Sequence, residues 1–180
     1  MKIIFTGAQG TGKTTILDYF KNQNYNVITE VVRKLSKEGV NINEMGDVEG
    51  QRKIFNTYVE LFDNNNEYVS DRGLTDVLSY TMYLSASSSS TEYDELLDEQ
   101  YNKLKEYCEL NKDAIFFYFP IEFSVVDDGV RSTSDEFRKM IDSYILGLLK
   151  ELEIHYYEVR GTIEERINFV KSIIESKNRF

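Results

Sequence analysis

The sequence predicts an α/β fold in which helices cover both faces of a parallel sheet of five strands. Short β-rich segments alternate with longer segments that repeat apolar residues at helical spacing. One β-rich segment, residues 114–119, is apolar throughout, which is typical of a strand covered on both faces. The chain has 180 residues, the usual length of one domain, so we expect a single domain over residues 1–180.

The first half of the chain alternates strands with helices, and each strand is rich in β-branched or aromatic residues. The predicted order is strand 2–6, helix 12–22, strand 26–29, helix 31–38, a helix after Asp47, strand 68–70 and helix 73–84. The helix after Asp47 carries its apolar side chains on one face.

The second half begins with a serine-rich segment, residues 85–90, which predicts a loop. A long amphipathic helix follows around residues 93–104. The apolar strand 114–119 stops at Pro120, the only proline of the chain. The last strand, residues 155–159, lies between two further helices.

Two capping boxes predict where these last two helices begin. In a capping box, the first side chain accepts from the main chain three residues later, and the Glu there reaches back. Thr133 with Glu136 fits this pattern, and Thr162 with Glu165 fits it again.

The charge balance argues against several classes of function. There are 31 acidic and 21 basic residues, so the net charge is −10. A protein that grips nucleic acid by its phosphates needs a basic surface, and the same acidity disfavours an anionic membrane. No apolar run approaches the ~20 residues of a membrane span. One cysteine excludes an internal disulfide. We therefore expect a cytoplasmic protein without nucleic-acid or membrane partners.

Residues 7–14 read GAQGTGKT and match the pattern GxxxxGK(S/T) at every defined position. They lie directly between a predicted strand and a predicted helix, the context that this pattern needs, which argues against a chance glycine-rich turn. The glycines let successive main-chain N–H groups point into one phosphate-binding cavity. We predict a P-loop that binds ATP or GTP with Mg²⁺. Its predicted phosphate-binding residues are Gly7, Ala8, Gln9, Gly10, Thr11, Gly12, Lys13, Thr14 and Thr15.

Within this loop, Lys13 is predicted to reach the β- and γ-phosphates and to act in catalysis, and Thr14 to ligate Mg²⁺. A second metal ligand is expected at the carboxyl end of a neighbouring strand. Asp71 follows strand 68–70, so we predict it as a metal ligand and catalytic residue, with Arg72 beside it contacting phosphate. The alternative is that Asp71 caps the next helix.

Two further candidates follow other strands. Glu30 ends strand 26–29, where a carboxylate could take a proton from an acceptor hydroxyl, and Arg33 lies one turn later as a substrate-binding residue. The alternative is a surface ion pair between the two. Arg131 lies in a glycine-containing segment predicted as a lid over about residues 120–134, and would bring a cation to the transferred phosphate. A plain turn is the alternative there.

Several of these segments together resemble a known family. They are GAQGTGKTT at residues 7–15, TEVVR at 29–33, SDRGLTD at 70–76, DGVRS at 128–132 and GTIEER at 161–166. In this order they are similar to P-loop nucleoside and nucleotide kinases, including the nicotinamide-riboside kinase domain of bacterial NAD-salvage proteins. The resemblance covers nearly the whole chain. It implies a three-layer P-loop kinase fold with a lid after strand four, Arg131 as lid arginine, and either Glu30 or Asp71 as the base.

The leading hypothesis is an ATP- and Mg²⁺-dependent kinase that phosphorylates a nucleoside, a nucleotide or nicotinamide riboside. Five aromatic residues are candidates to stack a base, although core packing is their more common role: Phe55, Tyr58, Phe62, Tyr80 and Tyr83. A nucleotide-binding NTPase or regulatory protein without an acceptor is the alternative. The chain looks too short for an oligomeric ATPase machine, and a homodimer is possible.

Overall fold

The computed structural model describes residues 1–124 and 134–177. Its strands are β1 Lys2–Thr6, β2 Val27–Ile28, β3 Tyr68–Ser70, β4 Ile115–Tyr118 and β5 Tyr156–Glu158. Its helices are α1 Lys13–Asn22, α2 Val31–Lys37, α3 Val48–Asp63, α4 Leu74–Ala86, α5 Glu92–Leu110, α6 Asp135–Glu151 and α7 Ile163–Lys177. A short 3₁₀ helix at Asn43–Met45, which the sequence pattern did not predict, precedes α3. The five predicted strands are confirmed.

The five strands form one parallel sheet in the order β2-β3-β1-β4-β5. The strand β1 is central, and the chain adds strands on one side of it first and on the other side afterwards. A crevice opens at such a reversal of strand order, outside the carboxyl ends of the strands. The register aligns Ser70 of β3 with Ile4 of β1 and Ile28 of β2, so the residues that follow β2 and β3 lie side by side.

Helices cover both faces of this sheet, as predicted. On β1, Ile4 points to a core that also contains apolar residues of α2 to α6. Its neighbours Ile3 and Phe5 point to a second core with residues of α1 and α7. The result is three layers of helix, sheet and helix. None of the helices within the described residues has both the length and the apolar character that a bilayer span requires.

The helix starts agree in part with the predicted capping boxes. At α7, the Thr162 main-chain N–H donates to the Glu165 carboxylate at 2.7 Å, and the Glu165 N–H donates to the Thr162 hydroxyl at 3.3 Å. At α6, Ser134 is the N-cap, and it accepts from the Phe137 N–H at 3.2 Å. Thr133, which we predicted in this role, lies outside the described residues.

Candidate functional site

The P-loop curls between β1 and α1 as the sequence predicts. Gly7, Gly10 and Gly12 have φ angles of 138°, 71° and 88°, which side chains with a Cβ rarely adopt. The Lys13 ammonium lies back over the loop, where it donates to the main-chain carbonyls of Gly7 and Ala8. The lysine therefore stands at the loop, where phosphate oxygens can replace those carbonyls as its acceptors.

A side chain at Gly7 would collide with the main chain of Phe119. A Cβ there would lie 2.4 Å from the Phe119 carbonyl oxygen, besides the unfavourable φ. We expect Gly7→Ala to lower the free energy of unfolding by at least about 1–3 kcal/mol. The matched control is Gly147→Ala in α6, where a Cβ meets nothing within 4 Å. It should raise the free energy of unfolding by about 0.5–1 kcal/mol through helix propensity. Denaturant unfolding measures both, and an equally stable Gly7→Ala protein would contradict this account.

Asp76, on the first turn of α4, holds the P-loop to the turn after β3. It is fully buried and accepts from the Thr6 hydroxyl at 2.7 Å, from the Gly7 N–H at 3.1 Å and from the Gly73 N–H at 2.9 Å. Burial raises the pKa of the Asp76 carboxyl, while the nearby Lys13 ammonium acts to lower it. The N-cap of α4 is Gly73, whose N–H donates to Asp76. The alternative interpretation of Asp71 as the cap of this helix is therefore wrong.

A cleft at the carboxyl ends of β1, β2 and β3 brings most of the predicted site residues together. Its volume is about 750 Å³, counted with the open solvent at its mouth. The predicted residues that line it are Gln9, Gly10, Thr11, Gly12, Lys13, Thr14, Thr15, Glu30, Arg33, Asp71 and Arg72. Gly7 and Ala8 form the base of the same loop. Arg131 lies outside the described residues, as does most of the predicted lid at residues 120–134.

Glu30 has a backbone that few glutamates adopt. Its φ of 61° and ψ of 13° are left-handed, and it directly precedes α2. Its carboxylate forms an ion pair of 3.0 Å with Arg33, and both side chains are partly exposed. The surface ion pair is therefore present, and it lines the cleft as well. A left-handed backbone at a non-glycine residue costs free energy, so it persists only where the surrounding structure holds it.

Asp71 follows β3 and lies beside Thr29 and Glu30, which follow the neighbouring strand β2. It accepts from the Thr29 hydroxyl at 2.8 Å and more distantly, at 3.5 Å, from the Glu30 N–H and the Tyr58 hydroxyl. Burial and the charge of Asp71 raise the pKa of Tyr58, so Tyr58 stays protonated and keeps donating. The carboxylate of Asp71 thus lies at the cleft with one oxygen only weakly engaged.

The cleft continues into a small adjoining side pocket, lined by Val32, Ile42, Asn43, Gln51, Ile54, Arg72, Val77 and Tyr80. The Arg72 guanidinium lies over the Tyr80 ring, 5.1 Å from its centroid. All five aromatic candidates are core residues or, in the case of Tyr83, pack against the core. Tyr80 lines the side pocket and Tyr58 lines the cleft. The pocket is therefore mostly apolar, with an aromatic ring and two amide side chains.

Two buried arginines donate hydrogen bonds to main-chain carbonyls of the P-loop, and neither was predicted as a site residue. Arg138 of α6 donates to the Gln9 carbonyl at 3.1 Å and to the Phe123 carbonyl at 3.1 Å. Arg166 of α7 donates to the Thr11 carbonyl at 2.7 Å and pairs with the Glu122 carboxylate. Each arginine thus ties the P-loop to the segment after β4. A signal was available, since Arg166 lies four residues before Val170 on the buried face of α7.

Comparisons with known proteins agree with this architecture. A family model described as an AAA domain matches residues 2–166. No curated protein matches the sequence. Deoxyadenosine kinase from M. mycoides with bound dCTP is similar in structure at 17% sequence identity, with a TM-score of 0.65 over 98% of this chain and 100% of that chain.

Two other solved structures are similar to the same degree. Deoxyadenosine kinase from M. mycoides with the products dCMP and dCDP is 15% identical, with a TM-score of 0.62 over 98% of this chain and 100% of that chain. Thymidylate kinase from Candida albicans is also 15% identical, with a TM-score of 0.60 over 98% and 91% of the two chains. At these identities the likeness concerns the fold, and it confirms the predicted α/β P-loop kinase fold.

Proposed function

Since the chain belongs to the AAA domain family and has the fold of nucleoside and nucleotide kinases, we propose that it is an ATP- and Mg²⁺-dependent phosphotransferase. Its acceptor is a small nucleoside-like molecule: a nucleoside, a nucleotide or nicotinamide riboside. One observation carries the proposal. A single cleft has a P-loop on one side and two carboxylates with two arginines on the other, and it continues into a mostly apolar pocket.

The donor side of the cleft is suited to a triphosphate. The main-chain amides of residues 7–15 and the Lys13 ammonium neutralise phosphate oxygens at the N-terminus of α1. Mg²⁺ would be held by the Thr14 hydroxyl and the Asp71 carboxylate, which both line the cleft and are the oxygen donors that this ion prefers. When bound, Mg²⁺ would offset the negative charge of the phosphate oxygens.

The acceptor side is suited to an alcohol. Glu30 takes the proton of the acceptor hydroxyl, the hydroxyl oxygen bonds to the γ-phosphorus, and the bond from that phosphorus to ADP breaks. Arg33 keeps the Glu30 carboxylate at the cleft through their ion pair. Arg72 contacts the transferred or acceptor phosphate. Lys13 stabilises the charge that spreads over the transferred group.

The side pocket indicates the class of acceptor. Val32, Ile42 and Ile54 give it apolar walls, Tyr80 offers a ring, and Gln51 offers an amide. Aromatic and apolar walls with a few polar groups are typical of pockets for planar heterocycles. A base at the junction of the pocket and the cleft would place its ribose toward Glu30 and the P-loop, since the pocket and the cleft share Val32 and Arg72.

Acceptor-dependent formation of ADP tests the proposal. The purified chain is incubated with ATP and Mg²⁺ and with a panel of ribonucleosides, deoxyribonucleosides, their monophosphates and nicotinamide riboside. We expect at least one member to yield ADP together with its own phosphorylated product, identified by mass. If no member raises ADP formation above the level without acceptor, the kinase proposal is wrong.

The same assay identifies the alternative function, an ATP- or GTP-binding NTPase or regulatory protein without an acceptor. The description of the matching family as an AAA domain is the observation that favours it. Hydrolysis that requires Mg²⁺ but is the same with and without every acceptor would support this alternative, and GTP replaces ATP in a parallel series.

A further inference from the structure

Gln9 is the third residue of the P-loop, and the two polar atoms of its side-chain amide differ in their hydrogen bonding. It is 5% exposed, and its Oε1 accepts from the Tyr80 hydroxyl at 2.5 Å. Its Nε2 is buried and has no hydrogen-bond partner among the residues that the structure describes. Buried amide groups without partners cost free energy, and in native proteins each one calls for an explanation.

The position of this amide is set from two directions. Arg138 donates to the main-chain carbonyl of Gln9 and holds the loop from the α6 side. Tyr80 holds Oε1 from the α4 side, so Nε2 is left as the donor that the loop has not used. Side chain and main chain are thus positioned independently, which is the arrangement expected of a preorganised donor.

The surroundings of Gln9 indicate which ligand atom this donor meets. Gln9 lines the cleft, as do the rest of the P-loop from Gly10 onward and Arg72. Arg72 itself lies over the ring of Tyr80, the residue that fixes the amide. The P-loop amides, Lys13 and Arg72 all favour anionic oxygen. The hydrogen-bond acceptor that matches Nε2 is therefore a phosphoryl oxygen that lies between the ATP side and the alcohol side of the cleft.

We infer that Gln9 is a further catalytic residue, whose Nε2 donates to an oxygen of the phosphoryl group in transfer, and that Tyr80 is the positioning residue that orients it. This inference rests on the proposed phosphoryl transfer. The contact strengthens as the phosphoryl group moves from ADP toward the acceptor hydroxyl, because the group then passes between the two halves of the cleft. It therefore contributes to kcat more than to ATP binding.

Two substitutions of Gln9 separate the donor from the rest of the side chain. Gln9→Met keeps the length and removes both polar atoms. Gln9→Glu keeps an oxygen for the Tyr80 hydroxyl and removes the donor. We expect each to lower kcat by about 10–100-fold, the usual effect of losing one hydrogen bond to a charged group. Gln9→Met adds no charge beside the phosphates, so it should leave the dissociation constant for ATP unchanged, whereas the carboxylate of Gln9→Glu should also weaken ATP binding. The matched control is Gln100→Met in α5, another buried glutamine with one unpartnered amide atom, which lies outside the cleft. It should leave kcat unchanged.

A second readout keeps this test independent of the acceptor. ADP with Mg²⁺ and aluminium fluoride imitates the phosphoryl group in transfer, and its binding can be measured by calorimetry. We expect about 10–100-fold weaker binding to Gln9→Met than to the wild type, and equal binding of ADP alone. Equal binding of the fluoride complex to both proteins, or none to the wild type, would overturn the role of Gln9. A wild type that binds the complex but phosphorylates no acceptor would instead count against the proposed function alone.

Tyr80 is tested through its coupling to Gln9. Tyr80→Phe should lower kcat several-fold, and it should add nothing to the loss of kcat in the Gln9→Met background, because the two residues act as one unit. Additive losses would show that Tyr80 does not act through Gln9. Thermal unfolding of every variant separates these effects from loss of the fold.

Discussion

Replacing Lys13 with alanine should lower kcat/KM for ATP by about 10²–10³-fold, the cost of removing one preorganised cation from a developing phosphoryl charge. The ammonium already lies against the P-loop carbonyls of Gly7 and Ala8, so it need only exchange these carbonyls for phosphate oxygens. The Mg²⁺-dependent affinity for ATP should fall with it. Steady-state kinetics and calorimetry measure the two losses.

Lys21→Ala is the matched control for this prediction. Lys21 lies on the same helix, α1, but its side chain is exposed on the last turn. It should leave both kcat/KM and ATP affinity unchanged. Lys13→Met, which keeps most of the aliphatic stem, separates loss of the charge from loss of packing. Undiminished Mg²⁺-dependent ATP affinity in Lys13→Ala would contradict the proposed phosphate site as a whole.

Replacing Glu30 with glutamine should lower kcat by about 10²–10⁴-fold, the range for removal of a general base. Glutamine has the same length and can keep the left-handed backbone at this position, but it cannot take the proton of the acceptor hydroxyl. ATP affinity should stay the same because Glu30 lies on the acceptor side of the cleft. Rapid-quench measurement gives the rate constant of the phosphoryl-transfer step directly.

Glu153→Gln is a closely matched control for Glu30→Gln. Glu153, after α6, is also a glutamate with a left-handed backbone, at φ 51°, and it is exposed away from the cleft. Glu153→Gln should have no effect on kcat. Asp71→Asn separates the two carboxylates by role: it should raise the Mg²⁺ concentration for half-maximal activity by about 10–100-fold. If Asp71→Asn abolishes transfer while Glu30→Gln leaves kcat intact, then Asp71 is the base.

The strand-end residues were predictable to a limited degree. Glu30 and Asp71 each follow a recognisable strand, and parallel strands present their carboxyl ends at one edge of a sheet. Their contact with each other through Thr29 was not predictable, because it depends on β2 and β3 being neighbours in the register of Ile28 with Ser70. The sequence pattern likewise offered two interpretations of Asp71, as a metal ligand or as the cap of α4. The cap was excluded only by the structure, in which Gly73 is the N-cap and donates to Asp76.

The buried polar residues show a second limit. Arg138 and Arg166 each occupy a position on the buried face of a helix, where periodicity predicts an apolar residue. The pattern marks such a residue as unusual without showing its partner. Their partners in the P-loop are 129 and 155 residues away along the chain. Gln9 was predicted as a phosphate-loop residue for its main chain, whereas the role that we infer for its side chain depends on Tyr80, 71 residues away.

The sequence by itself determined the P-loop, because this loop needs only consecutive residues: glycines that permit the turn, main-chain amides, one lysine, one threonine and the helix that follows. The tertiary structure decided what stands opposite that loop. The order β2-β3-β1-β4-β5 and the packing of α3 and α4 bring Glu30, Asp71, Arg72 and the side pocket to one cleft. No local pattern encodes these contacts, since their free energy comes from groups that meet only when the sheet has formed.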